Sequence, residues 1–330
     1  MTVRIQQNHI IQAELLNGLY IERARLFEDS CGVRLLKEHE PFAVEVKRGL
    51  PFLHPNRVLH DRVVLCLPEN DEQVAQTVAL LKEEQIPFYI VGNGSNILVK
   101  DRGFRGCIVK MLHQGREIRV DREAKTLYAG AGETMMSIAV RCAKEGLAGM
   151  EFASGIPGTL GGTVSMNAGA YEKEMKDIVN SVRILTQEGE IKEISNAEMA
   201  FGYRTSAVLK NNWIVLGATL QLQQDDPVEI QARIDDFTHR RRTRQPLEYA
   251  SAGSTFKRPE GFFAAKLIDD AGMKGYSVGD AQVSEKHAGF VVNKGKASAE
   301  DVLVLMSRIQ AAVKEKFGVD LKPEVRIIGE

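Results

Sequence analysis

The chain has 330 residues, a formal net charge of -1, 44% hydrophobic residues and 26% charged residues. This length predicts two or three domains of roughly 100–150 residues each, and the composition is that of ordinary globular proteins. A net charge so close to zero gives no global reason to expect a nucleic-acid or membrane partner, so partners have to be inferred from local sites.

Residues 1–45 predict an N-terminal arm, helical over 8–29, in which no chemistry is visible. Its start lacks the apolar core of a secretory signal, and no later stretch approaches the ~20 apolar residues of a membrane span. The cysteines lie far apart and form no C-x-x-C pair: Cys31, Cys66, Cys107 and Cys142. We therefore expect buried thiols in a reducing cytoplasm and no metal site.

A βαβ unit is predicted from residue 63 onwards. Residues 63–67 are typical of a strand, Asn70 or Asp71 can cap the helix that follows, and Pro87 ends that helix before a second strand at 88–91. The apolar residues of the helix recur on one face: Val74, Val78 and Leu81.

A first glycine loop separates the strand at 88–91 from another apolar run at 97–99. It consists of Gly92, Asn93, Gly94, Ser95 and Asn96. The Rossmann fingerprint for nicotinamide cofactors has a third glycine and opens a helix, whereas this loop has two glycines and leads into a strand. A Rossmann domain is therefore disfavoured.

The segment 155–171, called the glycine segment below, has almost no charge and contains five glycines: Gly155, Gly158, Gly161, Gly162 and Gly169. Glycine permits positive φ and lets peptide N–H groups converge on an anion. Either glycine-rich stretch alone is equally typical of a β-turn or bulge. The two together favour a phosphate-bearing cofactor.

The middle of the chain, 107–222, predicts an α+β arrangement. It includes a strand at 117–120, a hairpin around 188–189, and a helix over 135–144 closed by Gly146.

A third unit is predicted to begin near Asp226, where Pro227 starts a helix with a basic end at 240–244. Its apolar face consists of Ile230, Ile234 and Phe237. The last helix is predicted from a Ser298 cap to Phe317, with four residues facing inward: Val302, Met306, Ile309 and Val313.

Three polar residues stand in short glycine-containing segments: Arg204, Ser254 and Glu324. Taken singly, they are better explained as a surface arginine near a turn, a capping serine and a solvated carboxylate. Whether these three residues have a functional role therefore has to be judged together with the other motifs of the chain.

Seven motifs occur in one order across residues 92–329: GNGSN, GIPGTLGGTVSMNAGAY, FGYR-S, AGSTFKRP, AGxKG, KHAGFVVN and PEVRxIG. Through them the chain resembles the UDP-N-acetylenolpyruvoylglucosamine reductase family, flavoenzymes of peptidoglycan precursor synthesis. The resemblance covers about three-quarters of the chain. It is to the shorter form of the family, because the segment after Leu222 leaves no room for the extra substrate-covering insert.

The resemblance implies an α+β fold. It would comprise a vanillyl-alcohol-oxidase-type (PCMH-type) FAD-binding domain at 46–224, with subdomains at 46–112 and 113–224, and a C-terminal substrate-binding domain at 225–330 whose last residues return to the active site. The implied cofactors are FAD and NADPH. In a ping-pong reaction, NADPH would reduce FAD, which would pass hydride to UDP-N-acetylglucosamine enolpyruvate.

The resemblance also implies roles for individual residues. Arg204 would hold the substrate carboxylate, Glu324 would share a proton with it, and Ser254 would donate the proton that completes the reduction. Substrate binding is implied for Tyr203, Arg244 and Lys257, although the basic run at 240–244 is equally typical of a solvated helix end. Cofactor binding is implied for Gly92, Asn93, Gly94, Ser95, Asn96, Gly155, Ile156, Pro157, Gly158, Gly161, Gly162, Asn167, Gly169 and Ala170.

The chain departs from the family pattern in two places. Residues 45–57 replace a usual Thr-Thr-x-x-Ile-Gly-Gly segment, which bears on how the adenine end of FAD is packed, and Glu172 stands where glycine is common. His287 is given no catalytic role, since a lone histidine is more often structural.

Two other functions stay open on the sequence alone. One is a non-catalytic flavin-binding paralogue acting as a sensor or partner, supported only by the segment 45–57. The other is an oxidase on the same flavin fold, which would want a base or a covalent-flavin His or Cys within 155–171, where there is none.

Overall fold

The structure is a computed structural model and describes residues 63–111 and 117–330. These residues form two compact units. The first consists of 63–93, 106–111 and 117–238, and the second of Gly94–Arg105 and His239–Glu330. Among the helices of the described ranges, none combines the length and apolarity that crossing a bilayer requires.

Helices and strands alternate through both units, as the predicted α+β fold requires. In chain order they are β1 (Val63–Cys66), α1 (Asp71–Glu83), β2 (Phe88–Val91), β3 (Ile97–Val99), β4 (Gly106–Lys110), β5 (Ile118–Asp121), β6 (Thr126–Gly130), α2 (Met135–Lys144), β7 (Leu147–Ala148), α3 (Leu160–Ser165), β8 (Gly169–Ala170), β9 (Lys173–Glu174), β10 (Val179–Leu185), β11 (Ile191–Ser195), α4 (Ala207–Lys210), β12 (Ile214–Gln221), β13 (Gln223–Gln224), α5 (Pro227–Arg244), β14 (Ala250–Ser254), α6 (Ala264–Asp270), β15 (Ser277–Val278), β16 (Ala281–Val283), β17 (Phe290–Asn293), α7 (Ala299–Phe317) and β18 (Arg326–Ile328).

The first unit begins with a parallel sheet in the order β1-β4-β2. Helix α1 is capped by Asn70, whose side chain accepts a hydrogen bond from the N–H of Gln73, and its apolar face is buried as predicted: Val74, Val78 and Leu81. The predicted βαβ unit is confirmed. The structure adds that β4 lies between its two strands, a non-local pairing that local periodicity does not report.

A second, antiparallel sheet has the order β11-β10-β12-β6-β5. Strands β10 and β11 form the predicted hairpin, whose turn contains Gly189 at a φ of +86°. Helix α2 has the predicted limits and is followed by Gly146, as predicted; the structure adds that Thr134 caps it and that Gly146 has a φ of +67°. Strand β12 is central, and its residues Ile214–Ala218 are buried accordingly.

The second unit combines an antiparallel sheet, in the order β14-β17-β16-β15, with helices α6 and α7. Helix α7 has the predicted Ser298 cap and ends at Phe317, where Gly318 follows at a φ of +70°. Its four predicted inward residues are buried: Val302, Met306, Ile309 and Val313. Strand β18 pairs in parallel with β3, so that Arg326 lies opposite Ile97.

The cysteines of the described ranges are buried thiols, as predicted: Cys66, Cys107 and Cys142. The sulfur atoms of Cys66 and Cys107 lie 3.1 Å apart in a hydrogen bond. That bond and burial raise the pKa of Cys66, and burial raises the pKa of Cys142 to about 12. The thiols of Cys66 and Cys142 are therefore poor nucleophiles.

Several predictions fall outside the described residues: the arm at 1–45, its helix at 8–29, Cys31 and the departure at 45–57. The domain boundaries at 45/46, 112/113 and 224/225 also stay predictions. The compact units divide at 238/239, within α5.

The N-terminal cap of helix α7 can be tested by substitution. The Ser298 hydroxyl accepts the N–H of Asp301, whose carboxylate accepts the N–H of Ser298. We expect Ser298→Ala to lower the free energy of unfolding by about 1 kcal/mol, because that capping contact is lost. Urea denaturation measures the change. Ser307→Ala, at an exposed position of the same helix, is the control, and an equal loss there would contradict the capping explanation.

Candidate functional site

The glycine segment is shaped by close packing. None of its five glycines has a positive φ; the left-handed residues there are Asn167 and Tyr171, at +45° and +52°. A Cβ on Gly161 would come 2.9 Å from that of Ala131, and one on Gly169 would come 2.5 Å from the carbonyl oxygen of Lys173. Both glycines are needed because neighbouring chain approaches too closely for a side chain.

The start of the first glycine loop lies against the glycine segment. A Cβ on Gly92 would collide with the hydroxyl of Thr159. The Asn93 side-chain amide donates to the carbonyl of Pro157 at 3.1 Å. Two regions that the sequence assigns to the cofactor are therefore in contact within the first unit. Gly94, Ser95 and Asn96 belong to the second unit.

A third segment, 130–134, joins this cluster, and the sequence analysis missed it. The N–H groups of Leu160 and Gly161 donate to the carbonyls of Glu133 and Ala131, at 2.8 and 2.9 Å. The available signal was the pair of glycines in the run AGAGE at 129–133.

Glu133 is 5% exposed, and its Oε1 has no hydrogen-bond partner among the described residues. A buried carboxylate oxygen without a donor is costly for the protein by itself. Glu133 thus marks a position where a ligand that offers a hydrogen-bond donor would be stabilised.

Tyr203 and Arg204 lie in a tight turn of the first unit. Gly202 and Thr205 exchange two backbone hydrogen bonds across the turn, at 3.0 and 3.3 Å. Arg204 has a φ of +54°, and its guanidinium lies 5.2 Å from the ring centre of Tyr203. The turn presents a cation and a half-exposed aromatic ring side by side.

Ser254 and Glu324 come from neighbouring segments of the second unit. The Glu324 N–H donates to the carbonyl of Thr255 at 2.9 Å, and the Lys257 N–H donates to the carbonyl of Lys322 at 2.8 Å. This antiparallel pairing brings the backbone of 254–257 beside that of 322–324. It therefore unites Ser254, Lys257 and Glu324.

Asn96 of the first glycine loop is fastened to the same place. Its side-chain amide donates to the carbonyl of Glu324 at 3.2 Å, and its carbonyl accepts the N–H of Arg326 at 2.9 Å. A residue assigned to the cofactor and one assigned to catalysis are thus directly connected.

Arg244 and His287 are less informative. Arg244 is the last residue of α5, a position that favours a cation through the helix dipole alone. The Nδ1 of His287 accepts the N–H of Gly289 at 3.1 Å, and its ring packs edge-on against Phe290. Burial lowers the pKa of His287. These local contacts agree with the structural role predicted for His287.

Comparisons with known protein families identify the class of protein to which this chain belongs. Residues 63–195 match the FAD binding domain family, and residues 245–328 match the C-terminal domain of UDP-N-acetylenolpyruvoylglucosamine reductase. The fold is thus that of a FAD-binding oxidoreductase with a second, C-terminal domain, which confirms the predicted fold class.

Individual relatives narrow the assignment to one family. UDP-N-acetylenolpyruvoylglucosamine reductase of Clostridioides difficile (strain 630) is 51% identical over 81% of this chain and 87% of its own length. The reductase of Caldanaerobacter subterraneus is 49% identical with the same coverage. The crystal structure of the Thermus caldophilus enzyme is 33% identical and superposes with a TM-score of 0.69 over 81% of this chain and 92% of that one. The chain belongs to the UDP-N-acetylenolpyruvoylglucosamine reductase family.

The described residues fit FAD. A flavin dinucleotide carries ribose and ribityl hydroxyls, which can donate to the unpartnered oxygen of Glu133. Its diphosphate suits a backbone surface with few side chains, such as the one formed by Gly92 and the glycine segment. The side chain of Asn167 is fully buried and both of its amide ends have protein partners. Its predicted cofactor contact would therefore use its backbone.

Glu133 provides a test that does not depend on turnover. We expect Glu133→Gln to raise the unfolding free energy of the FAD-free protein by about 1–3 kcal/mol, because a buried charge is removed. The same change should weaken FAD binding by about tenfold, because a charged acceptor is lost. Urea denaturation and flavin fluorescence titration measure the two effects.

Glu151 is the matched control. It is also buried, but Arg233 and the N–H of Gly149 both donate to it. Glu151→Gln should therefore lower stability, by about 1–3 kcal/mol. If Glu133→Gln also destabilised the FAD-free protein and left FAD affinity unchanged, the assignment of Glu133 to the cofactor would be wrong.

Proposed function

We propose that this protein reduces UDP-N-acetylglucosamine enolpyruvate to UDP-N-acetylmuramate with NADPH, through FAD, in the cytoplasmic synthesis of peptidoglycan precursors. The observation that carries the proposal is the backbone hydrogen bond between Glu324 and Thr255, the residue after Ser254, in a chain with a FAD-binding domain. Family membership over four-fifths of the chain supports the same substrate.

The reaction places charge at a defined point of the substrate. The chemistry that bound FAD would supply is the transfer of hydride from NADPH to the terminal carbon of the enolpyruvyl group. Negative charge then develops on the neighbouring carbon and its carboxylate. We assign the stabilisation of that charge to Arg204, because a guanidinium can bind both carboxylate oxygens at once.

We assign the proton donors of the reaction to Glu324 and Ser254. Glu324 in its protonated form would donate to the substrate carboxylate, because a second bare anion there would oppose the reaction. Ser254 would give its proton to the carbon that bears the ether oxygen. A hydroxyl is a weak acid, but the carbanionic centre is strongly basic, so the contribution of Ser254 is its position.

The remainder of the substrate would be held by Lys257, Tyr203 and Arg244. Lys257 lies three residues beyond Ser254, with its backbone fixed by Lys322, and its ammonium suits the diphosphate. Tyr203 offers an exposed ring beside Arg204. Arg244 would supply a second positive partner for the diphosphate.

Anaerobic stopped-flow absorbance tests the whole proposal. The FAD-loaded protein is bleached with NADPH and then mixed with UDP-N-acetylglucosamine enolpyruvate. Rapid return of the oxidised flavin spectrum is the expected result. A flavin that stays reduced until oxygen is admitted would overturn the proposed function in favour of an oxidase or a non-catalytic flavoprotein.

Ser254→Ala separates the two half-reactions. Flavin reduction by NADPH should be nearly unchanged, because no proton donor to carbon is needed. Reoxidation by the enolpyruvate should slow by a factor of ~10²–10⁴, because the general acid is gone. Ser277→Ala, at an exposed position of the same sheet, should leave both rates unaltered. An equal loss in both half-reactions would remove the proton-donor role from Ser254.

A further inference from the structure

Two side chains fasten the Arg204 turn to the glycine segment. The first is Asn167, which is wholly buried. Its amide nitrogen donates to the carbonyl of Gly202 at 3.1 Å and to the carboxylate of Glu174 at 3.0 Å. Its amide oxygen accepts the N–H of Lys176 at 2.9 Å. Every hydrogen bond of this side chain therefore serves to hold backbone and a neighbouring carboxylate in place.

The second is Ser206, which is also wholly buried. It occupies the N-cap position of α4, yet its hydroxyl makes no cap hydrogen bond. The hydroxyl donates instead to the carbonyl of Ser165 at 2.8 Å. Ser165 is the last residue of α3, within the glycine segment. Ser206 thus gives up the usual use of an N-cap serine and satisfies a helix-end carbonyl of the cofactor-binding region.

These two contacts lie symmetrically about Arg204. Gly202 precedes it by two residues and Ser206 follows it by two residues. Arg204 itself has a positive φ, which a residue with a Cβ holds only when its surroundings impose it. The turn therefore depends on attachments at both of its ends.

We propose that Asn167 and Ser206 are positioning residues that fix Arg204 relative to the FAD-binding segment. They thereby determine the geometry with which Arg204 binds the carboxylate of the enolpyruvyl substrate. This inference rests on the role proposed for Arg204. Arginine is effective only if its fork meets both carboxylate oxygens, and a misplacement of about 1 Å can cost as much as ~100-fold in rate. Loss of either attachment should thus affect the carboxylate-dependent step, and loss of the Ser206 attachment should spare the step with NADPH.

The central experiment compares Ser206→Ala, Arg204→Ala and the double variant in the two half-reactions. We expect Ser206→Ala to slow reoxidation of the flavin by the enolpyruvate by about 10- to 100-fold, while reduction by NADPH and the Kd for FAD stay within about twofold of the unmodified protein. In the Arg204→Ala background the Ser206 change should have little further effect, because its target is gone. Full additivity of the two changes would overturn the proposal.

Two further variants separate positioning from general damage. Ser154 is another buried serine, whose hydroxyl donates to the carbonyl of Glu151, three residues earlier, at 2.8 Å. Ser154→Ala should lose comparable stability without slowing reoxidation. Asn167→Asp, which keeps the shape but replaces a donor with an acceptor facing Gly202, should reproduce the Ser206→Ala defect. Ser206→Thr, which keeps the hydroxyl, should restore much of the rate.

Amide hydrogen exchange measures how firmly the Arg204 turn is held, and the result does not depend on the identity of the substrate. Peptides covering 199–210 should exchange faster in Ser206→Ala than in the unmodified protein, while peptides covering α7 should not change. Unchanged exchange at 199–210 would overturn the fastening. If exchange at 199–210 rises in Ser206→Ala but the unmodified protein fails to react with the enolpyruvate, the proposed function is wrong. The attachment of the turn through Ser206 is then still supported.

Discussion

The site in the first unit depends on how closely two other segments, at Gly92 and at 130–134, approach the chain at Thr159. Gly92 leaves room for its hydroxyl, Thr134 forms a backbone bridge with it, and Gly161 two residues later lies against Ala131. A side chain at either glycine would force these segments apart. Helix α3 begins from this contact, and its far end carries Ser165, which accepts from Ser206. The placement of Arg204 therefore follows from packing that starts at Thr159.

The sequence predicts best what is local. Helices α2 and α7 have the predicted limits because their caps, Thr134 and Ser298, and their terminal glycines act within one turn. The insertion of β4 between β1 and β2 depends on pairing with a distant segment, which no short pattern encodes. Periodicity therefore predicted β1 and β2 and left the order of the first sheet undetermined.

The candidate site divides in the same way. Arg204, Ser254 and Glu324 could be proposed from the sequence because they lie in motifs of one family. Glu133 was not predicted because what marks it is a buried carboxylate oxygen without a hydrogen-bond partner. That is a property of the folded protein and not of the sequence around it. The glycine segment was expected to use glycine for positive φ, but Asn167 and Tyr171 adopt that conformation. Three hydrogen bonds fix the Asn167 side chain, and one of their partners, Gly202, lies 35 residues further along the chain.

The pairing of β18 with β3 has a consequence for biosynthesis. Asn96 and Glu324 are 228 residues apart in sequence, and Leu98, which pairs with Ile327, is buried in the core of the second unit. While the ribosome is still making the intervening chain, the apolar strand at 97–99 has no partner strand from the C-terminal region. It is a ready edge for aggregation during that interval. Newly made chains should therefore depend on chaperones until residue 328 has emerged.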